Sequence, residues 1–280
     1  MKLNKKTKLV FILVAFFLIG LAVPSYSWTR KNVKEIETFY NSKLSPIIMI
    51  PGSSATENRF DGLVRKLNQD LLKVKVWNNG RITFEGKIKD KDNEPVIVIG
   101  FENNKDGYNN IKKQTKMMNQ AFEALQNKYN FNNFKGLGHS NGGLIYTAFI
   151  ENYLSDYDVK INSLMTIGTP YNFTETNIKN KSVMLADFIA AKENIPSTLH
   201  VYSVAGTITY DSDELVPDAS VSAGKYIYQN QAKSYTEITV TGEDAQHSDL
   251  PTNDEVVELI KQHIEGQGVR KKQKTNLEPQ

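Results

Sequence analysis

A short glycine-rich segment has the most obvious capacity for chemistry in this sequence. Residues 138–142 read Gly-His-Ser-Asn-Gly, a G-x-S-x-G pattern. The apolar residues before it predict a short buried strand, and those after it recur at helical spacing. A serine at such a strand-to-helix turn is strained and exposed, and the helix N-terminus behind it offers N–H groups to an anion. We interpret Ser140 as a nucleophile; the alternative is a glycine-rich turn with an incidental serine.

A serine nucleophile needs a general base, and the chain has four histidines. His139 lies inside the turn, where we expect its side chain to point away from that of Ser140. His200 begins a predicted buried strand, and His263 lies in a predicted helix. His247 lies in a loop and is therefore the predicted base. The competing interpretation is a lone surface histidine.

An acidic loop follows the strand predicted at residues 199–205. Its candidates for the acid that orients the base are Asp211, Asp213, Glu214 and Asp218. Clustered carboxylates can also bind calcium, but this spacing matches no EF-hand loop and lacks the distal glutamate. The residues alone leave the choice among the four acids open.

Strands and helices alternate along most of the chain. Strands are predicted at residues 46–50, 95–101, 134–138, 161–167, 199–205 and 235–240, with helices between them, and Asn-Asn-Gly at 78–80 predicts a hairpin at the sheet edge. This alternation predicts an α/β fold with a doubly wound, mostly parallel sheet and helices on both faces. We interpret residues 171–196, which interrupt the pattern, as a small cap insertion.

Four segments make up the predicted domain organisation. Residues 1–27 combine a basic start with the apolar run LVFILVAFFLIGLAV, so they predict a signal peptide or an N-terminal anchor, with residues 1–23 as a candidate membrane tether. Residues 28–44 are a lead-in segment, either a short amphipathic helix or a linker. The main domain covers residues 45–265, and residues 266–280 are a basic flexible tail.

Composition excludes several function classes. The chain has no cysteine, which excludes disulfides, thiolate metal sites and a cysteine nucleophile. Its formal charge is +3, but four of the 34 basic residues lie in residues 1–27, which contain no acid. The rest of the chain is nearly neutral, so its charge does not favour nucleic acid as a partner.

From about Ser45 to His263, the chain resembles the α/β-hydrolase superfamily. It is more closely similar to the exported or surface-attached α/β-hydrolases of Gram-positive bacteria catalogued as a domain of unknown function. Glu214 and Pro51-Gly52 depart from the pattern, because relatives usually have Gly and His-Gly at these positions. The residues that carry the resemblance are Gly138-His139-Ser140-Asn141-Gly142-Gly143, Gly168-Thr169-Pro170, Ser212-Asp213-Glu214-Leu215-Val216-Pro217 and His247-Ser248.

The resemblance implies a role for each candidate. Members of this superfamily carry the nucleophile, acid and histidine in that chain order, which His247 fits. The stretch around Asp213 looks like the Asp-x-x-Val-Pro loop that often holds the acid, so Asp213 is preferred and Asp211 is second. The resemblance also implies an oxyanion hole formed by the main-chain N–H groups of Ser53 and Asn141.

These roles predict an exported serine hydrolase, secreted or associated with the cell surface. We expect a carboxylic-ester hydrolase of the esterase or lipase type, which acts on small or lipid-like acyl esters through a Ser-His-Asp triad and an acyl-enzyme. No cofactor and no metal are predicted. Thioesters, amides and acyl transfer use the same triad and stay open. The alternative is a catalytically weak or inactive surface-attached binding module on a hydrolase fold.

Overall fold

The chain divides into two compact units, with the boundary between Ser42 and Lys43. The structure is a computed structural model that describes residues 5–89 and 92–265, so the predicted tail at 266–280 lies outside it. The first unit holds helix α1, Lys5–Tyr40, which includes most of the predicted lead-in segment. Within the described ranges, no helix combines the length and the apolar character that are needed to cross a membrane.

The second unit is built on an eight-stranded sheet in the order β3-β2-β4-β1-β5-β6-β7-β8. Strand β3 is antiparallel to β2 and forms the predicted edge hairpin, whereas the other neighbours are parallel. The strands are β1 Ile47–Ile50, β2 Leu71–Val76, β3 Ile82–Gly86, β4 Val96–Phe101, β5 Asn133–His139, β6 Lys160–Ile167, β7 His200–Thr207 and β8 Ser234–Thr241.

Central strands of this sheet are buried on both faces, as their continuous apolar sequences predict. Every residue of β1 and β4 is buried. Successive side chains of a strand point to opposite faces, so Ile48 and Ile50 join one core while Ile47 and Met49 join the other. The two cores lie on opposite faces of the sheet.

Helices cover both faces, which confirms the doubly wound α/β prediction. Buried residues of α3, α4 and α5 join the core of one face, and those of α2 and α8 join the core of the other. The helices of this unit are α2 Asp61–Leu67, α3 Tyr108–Tyr129, α4 Asn141–Asn152, α5 Val183–Ala191, α6 Asp218–Ser222, α7 Lys225–Tyr228 and α8 Asp254–His263.

The insertion at residues 171–196 contains α5. Its Met184, Leu185 and Phe188 are buried in the same core as α3 and α4. Helices α6 and α7 were not predicted, because the sequence around them is too short and polar to show helical spacing. The role of the insertion as a cap stays a prediction.

Sheet topology brings the chemically interesting loops to one edge. Because β1, β5, β6, β7 and β8 are parallel neighbours in the order β1-β5-β6-β7-β8, their carboxyl ends lie side by side. The loops that follow β1, β7 and β8 begin there, as does the turn from β5 into α4. These segments contain Ser53, Ser140, Asp213 and His247. Ligands of open α/β sheets bind at this edge.

One buried carboxyl group in the second unit stands apart from these loops. Glu151, near the end of α4, is 4% exposed, and its Oε1 atom has no hydrogen-bond partner among the described residues. Burial disfavours the charged form and raises the pKa of Glu151 to about 9. The folded protein therefore holds this proton at neutral pH, whereas the unfolded chain releases it.

This difference predicts that Glu151 makes stability depend on pH. The pKa of Glu151 is higher in the folded protein than its unfolded value of 4.5. The contribution of Glu151 to the free energy of unfolding therefore decreases as the pH rises from about 4.5 to about 9. The slope is at most about 1.4 kcal/mol per pH unit. We expect Glu151→Gln, which cannot ionise, to gain stability relative to wild type across this range, as measured by urea unfolding from pH 5 to pH 9.

A matched control is Glu123→Gln on α3, where the side chain is exposed. This variant should follow the wild-type pH profile. Parallel profiles for wild type and Glu151→Gln would contradict the prediction.

Candidate active site

Ser140 lies at a sharp turn between β5 and α4. Its backbone angles, φ 54° and ψ −127°, fall in a region that a residue with a side chain rarely adopts. The strand partner β6 supports this conformation, because the Ser140 N–H donates to the Ile167 carbonyl at 2.8 Å. The predicted strand-to-helix turn is therefore present, with Ser140 at its apex. The expectation that this serine is exposed was wrong, because the residue is buried.

Glycine at two positions lets the chain pack closely enough to form this turn. A Cβ atom on Gly142 would lie 2.0 Å from the Ile50 carbonyl oxygen, and one on Gly138 would lie 2.5 Å from the Gly143 nitrogen. Real Cβ contacts are not this short, so any side chain would push α4 away from β1 or from β5. The glycine spacing of the sequence pattern follows from these two close approaches.

His247 is hydrogen-bonded to Asp213. The distance from His247 Nδ1 to Asp213 Oδ2 is 2.6 Å, and both side chains are buried. A main-chain bond joins the same two loops, because the His247 N–H donates to the Asp213 carbonyl at 3.0 Å. The other carboxyl oxygen of Asp213 accepts from the N–H groups of Leu215 and Val216 at 3.1 and 2.7 Å.

This arrangement determines the proton position on His247. A carboxylate oxygen only accepts, so the Nδ1 atom of His247 carries the hydrogen that Asp213 binds. In the neutral ring, Nε2 then keeps its lone pair and can act as a base. Gly168, at the end of β6, packs against this pair, since a Cβ there would lie 3.1 Å from both Asp213 Oδ2 and His247 Nδ1.

The alternative acid, Asp211, does not take this position. It is exposed, and its main-chain carbonyl accepts from the Asp218 N–H at 2.8 Å. Asp213 is instead completely buried beside His247. The neighbouring residue Glu214 has a φ of 73°, which explains why glycine is usual at this place in similar sequences.

A cleft of about 650 Å³ contains the predicted reacting groups. Ser140 and His247 line it together with Ser53, from the loop that follows β1. Gly52 lies directly against Ser140, because a Cβ on Gly52 would approach the Ser140 Cβ to 2.7 Å. Residues 171–196 are not among those that line the cleft.

Of the two predicted oxyanion donors, Ser53 lines the cleft together with Ser140, and Asn141 directly follows Ser140 in the chain. Asn141 is the first residue of α4, where main-chain N–H groups have no acceptor within the helix. Among the described residues, neither the Ser53 nor the Asn141 main-chain N–H donates to a protein acceptor. The Asn141 side chain donates to Asp106 Oδ1 at 2.7 Å and so ties the turn to the loop after β4.

His139 has a role that the sequence did not reveal. Its Nε2 atom is 2.9 Å from the main-chain carbonyl oxygen of His247, and the two imidazole rings lie with centroids 4.8 Å apart. Burial, helped by the nearby charges of His247 and Arg59, holds the pKa of His139 well below its ordinary value of 6.5. The neutral His139 ring therefore holds His247 in place through a hydrogen bond to the His247 main chain.

Arg59 is a second residue that sequence reasoning missed. It lines the same cleft, at the end of the loop that contains Ser53. Its guanidinium Nη2 donates to the main-chain carbonyl of Ser248, the residue after His247. The sequence did offer one signal for Arg59. It is a cationic residue in the short loop that also contains Ser53, a predicted oxyanion donor.

No three His, Asp or Glu residues in the described part of the chain are grouped so that they could hold a metal ion. The candidate site combines Ser140, His247 and the buried Asp213 on an eight-stranded, mostly parallel sheet. This combination of fold and residues defines the α/β-hydrolase class. Residues 34–267 match the family described as alpha/beta hydrolase of unknown function (DUF915), and the chain belongs to this family.

Solved structures agree with this assignment. A candidate cell surface hydrolase from Lactobacillus plantarum WCFS1 is 47% identical, with a TM-score of 0.74 over 83% of this chain and 98% of its own. The lin2722 gene product of Listeria innocua is 29% identical, with a TM-score of 0.74 over 79% and 94%. The predicted resemblance is confirmed.

A thermostable carboxyl esterase from Bacillus coagulans shares the fold at 13% identity, with a TM-score of 0.50 over 79% of this chain and 89% of its own. No curated protein matches the sequence.

The hydrogen bond of His139 predicts a fixed tautomer that does not titrate near neutral pH. Because a carbonyl oxygen only accepts, His139 Nε2 must carry the hydrogen. We expect ¹H–¹⁵N spectra of the histidine rings to show a protonated Nε2 and an unprotonated Nδ1 for His139, unchanged from pH 6 to pH 8. His139→Gln assigns the signal by removing it, and a shift with a midpoint near pH 6.5 would disprove the assignment.

Proposed function

We propose that this protein is a serine hydrolase that cleaves carboxylic esters, with Ser140 as the nucleophile, His247 as the base and Asp213 as the orienting acid. The hydrogen bond between His247 and Asp213, beside a serine at a strained turn in the same cleft, is the observation that carries the proposal. A histidine held by a buried carboxylate and a serine on a strand-to-helix turn are the parts that acyl-transfer chemistry requires.

The proposed reaction begins when His247 Nε2 takes the hydroxyl proton of Ser140 as Oγ attacks the ester carbonyl carbon. The carbonyl π electrons move to the oxygen, which becomes an oxyanion. Asp213 stabilises the resulting imidazolium through the Nδ1–H bond. When the C–O bond to the alcohol breaks, His247 gives its proton to the departing oxygen, and an acyl-Ser140 ester remains.

Water completes the cycle by the same steps. His247 takes a proton from the water as the water oxygen attacks the acyl-enzyme carbonyl. Collapse of this second tetrahedral intermediate breaks the bond to Ser140, and His247 returns the proton to Oγ. The carboxylic acid leaves, and the enzyme is restored.

Ser53 and Asn141 are the proposed oxyanion donors in both tetrahedral intermediates. Support comes from their unused main-chain N–H groups, from the place of Ser53 in the lining of the same cleft and from the position of Asn141 at the start of α4. A donor of this kind contributes roughly a hundredfold or more to turnover in serine hydrolases.

Export to the cell surface is also proposed, with lipid or acylated cell-wall material as candidate substrates. Two observations support it. Residues 1–27 have the basic start and apolar run of a secretory signal. A relative of 47% identity is named as a candidate cell surface hydrolase.

Covalent labelling by a fluorophosphonate tests the catalytic proposal. Wild-type protein should label on Ser140, because the probe is attacked by an activated serine and mimics the tetrahedral intermediate. Ser140→Ala should not label at all, and His247→Ala should label at least a hundredfold more slowly. Mass spectrometry of the labelled peptide identifies the site. Folded wild-type protein that does not label would favour the inactive binding module.

The two acids of the loop provide a matched comparison in the same assay. Asp213→Asn should slow labelling by roughly two to four orders of magnitude, because an amide at this position allows the wrong histidine tautomer. Asp211→Asn should stay within about twofold of wild type because its side chain is exposed. Equal effects of the two substitutions would remove Asp213 from the proposed triad.

Expression in a Gram-positive host tests the proposal on export. We expect the protein in the medium or cell envelope, with an intact mass that shows cleavage near Ser25 or Ser27, or the full mass if residues 1–23 tether it. Leu13→Arg, which interrupts the apolar run, should keep the protein in the cytoplasm. Export of this variant at the wild-type level would argue against a signal in residues 1–27.

A further inference from the structure

Arg59 places a positive charge in the cleft that contains Ser140 and His247. The residue lies just before α2, and its main-chain N–H donates to the Thr56 carbonyl at 3.0 Å. Its guanidinium is anchored by the Ser248 carbonyl. The main chain and the guanidinium of Arg59 are therefore both held by hydrogen bonds. The charge has a defined position close to the proposed reacting groups.

Little in the described protein neutralises this charge. Partial burial lowers the pKa of Arg59, and exposed Asp249 offsets only part of that effect. No carboxylate of residues 5–89 or 92–265 lies within the 4.0 Å of an ion pair with Arg59. The described cleft lining also contains no Asp or Glu. Partial burial of a cation that has no ion-pair partner is costly, and a ligand that supplies negative charge reduces this cost.

Several other side chains of the cleft can form hydrogen bonds with a polar anion. Leu215 is its large aliphatic residue, and it is 62% exposed. Hydroxyl or amide side chains also line the cleft, in Ser53, Ser54, Thr56, Asn58 and Ser248. Such groups can donate hydrogen bonds to carboxylate or phosphate oxygens.

We propose that Arg59 binds an anionic group of the substrate, so that the protein selects esters that carry a carboxylate or phosphate near the scissile bond. The proposal rests on the serine hydrolase function argued above. A guanidinium has five N–H donors, and the Ser248 carbonyl uses one of them. The remaining donors can bind two oxygens of an anion in parallel, which fixes the ester relative to Ser140.

A structural role for Arg59 gives a different expectation. If the residue only holds the loop that contains Ser248, its loss disturbs His247 and slows all esters by the same factor. Recognition of an anion instead makes the loss selective for charged esters. The comparison of matched charged and neutral substrates separates the two roles.

Two pairs of esters test the anion on each side of the scissile bond. On the acyl side, 4-nitrophenyl hydrogen adipate is compared with its neutral methyl ester. On the alcohol side, 1-butyrylglycerol 3-phosphate is compared with 1-butyrylglycerol. Wild type, Arg59→Met, Arg59→Lys and the control Arg65→Met, an exposed arginine of α2, are assayed with all four.

In at least one pair, Arg59→Met should lower kcat/KM for the charged ester by about 10- to 100-fold more than for its neutral partner. Arg59→Lys should keep part of the preference because the charge remains without the planar fork. Arg65→Met should behave as wild type. Equal losses for charged and neutral esters in both pairs would overturn the proposal.

A binding measurement separates this inference from the catalytic proposal. On the Ser140→Ala background, adipate and inorganic phosphate are titrated while the histidine ring signals are followed by NMR. Binding that is lost in Ser140→Ala/Arg59→Met supports the anion site even if wild type hydrolyses no ester. If neither anion binds in an Arg59-dependent way and no charged ester is preferred, the inference is wrong.

Discussion

The hydrogen bond between His247 and Asp213 is the interaction on which the arrangement of the site depends. It joins the loops that follow β7 and β8, which are adjacent parallel strands and so end at the same edge of the sheet. Burial of an ionised carboxylate is costly unless its oxygens are hydrogen-bonded. Asp213 meets this requirement with donors from its own loop and from His247. The hydrogen bond that Asp213 accepts from His247 therefore fixes the position of the histidine.

Close backbone packing provides the second constraint. Ser140 can keep its strained conformation because the turn is held by β6 on one side and approached by β1 on the other. Gly138 and Gly142 make these approaches possible, and Gly52 brings the loop after β1 against the serine. Packing in the surrounding sheet therefore balances the strain at Ser140 and holds this residue rigidly.

Two residues extend the site beyond the groups that react in the proposed mechanism. The neutral imidazole of His139 binds the main-chain carbonyl of His247, and the charged guanidinium of Arg59 binds the carbonyl of the next residue, Ser248. Both contacts act on the same loop. Hydrogen bonds from His139 and Arg59, together with the one to Asp213, therefore limit the positions that His247 can take.

The sequence by itself determined the strands, the main helices and the turn at Ser140, because hydrophobic spacing and glycine positions act locally. Only the tertiary structure shows that Asp213, and not Asp211, is buried and hydrogen-bonded to His247, since that depends on how two loops meet. It also revealed the contacts of His139 and Arg59 with residues 247–248, more than 100 positions away in each case. Contacts between distant segments follow from strand order and packing, and neither can be calculated from local spacing.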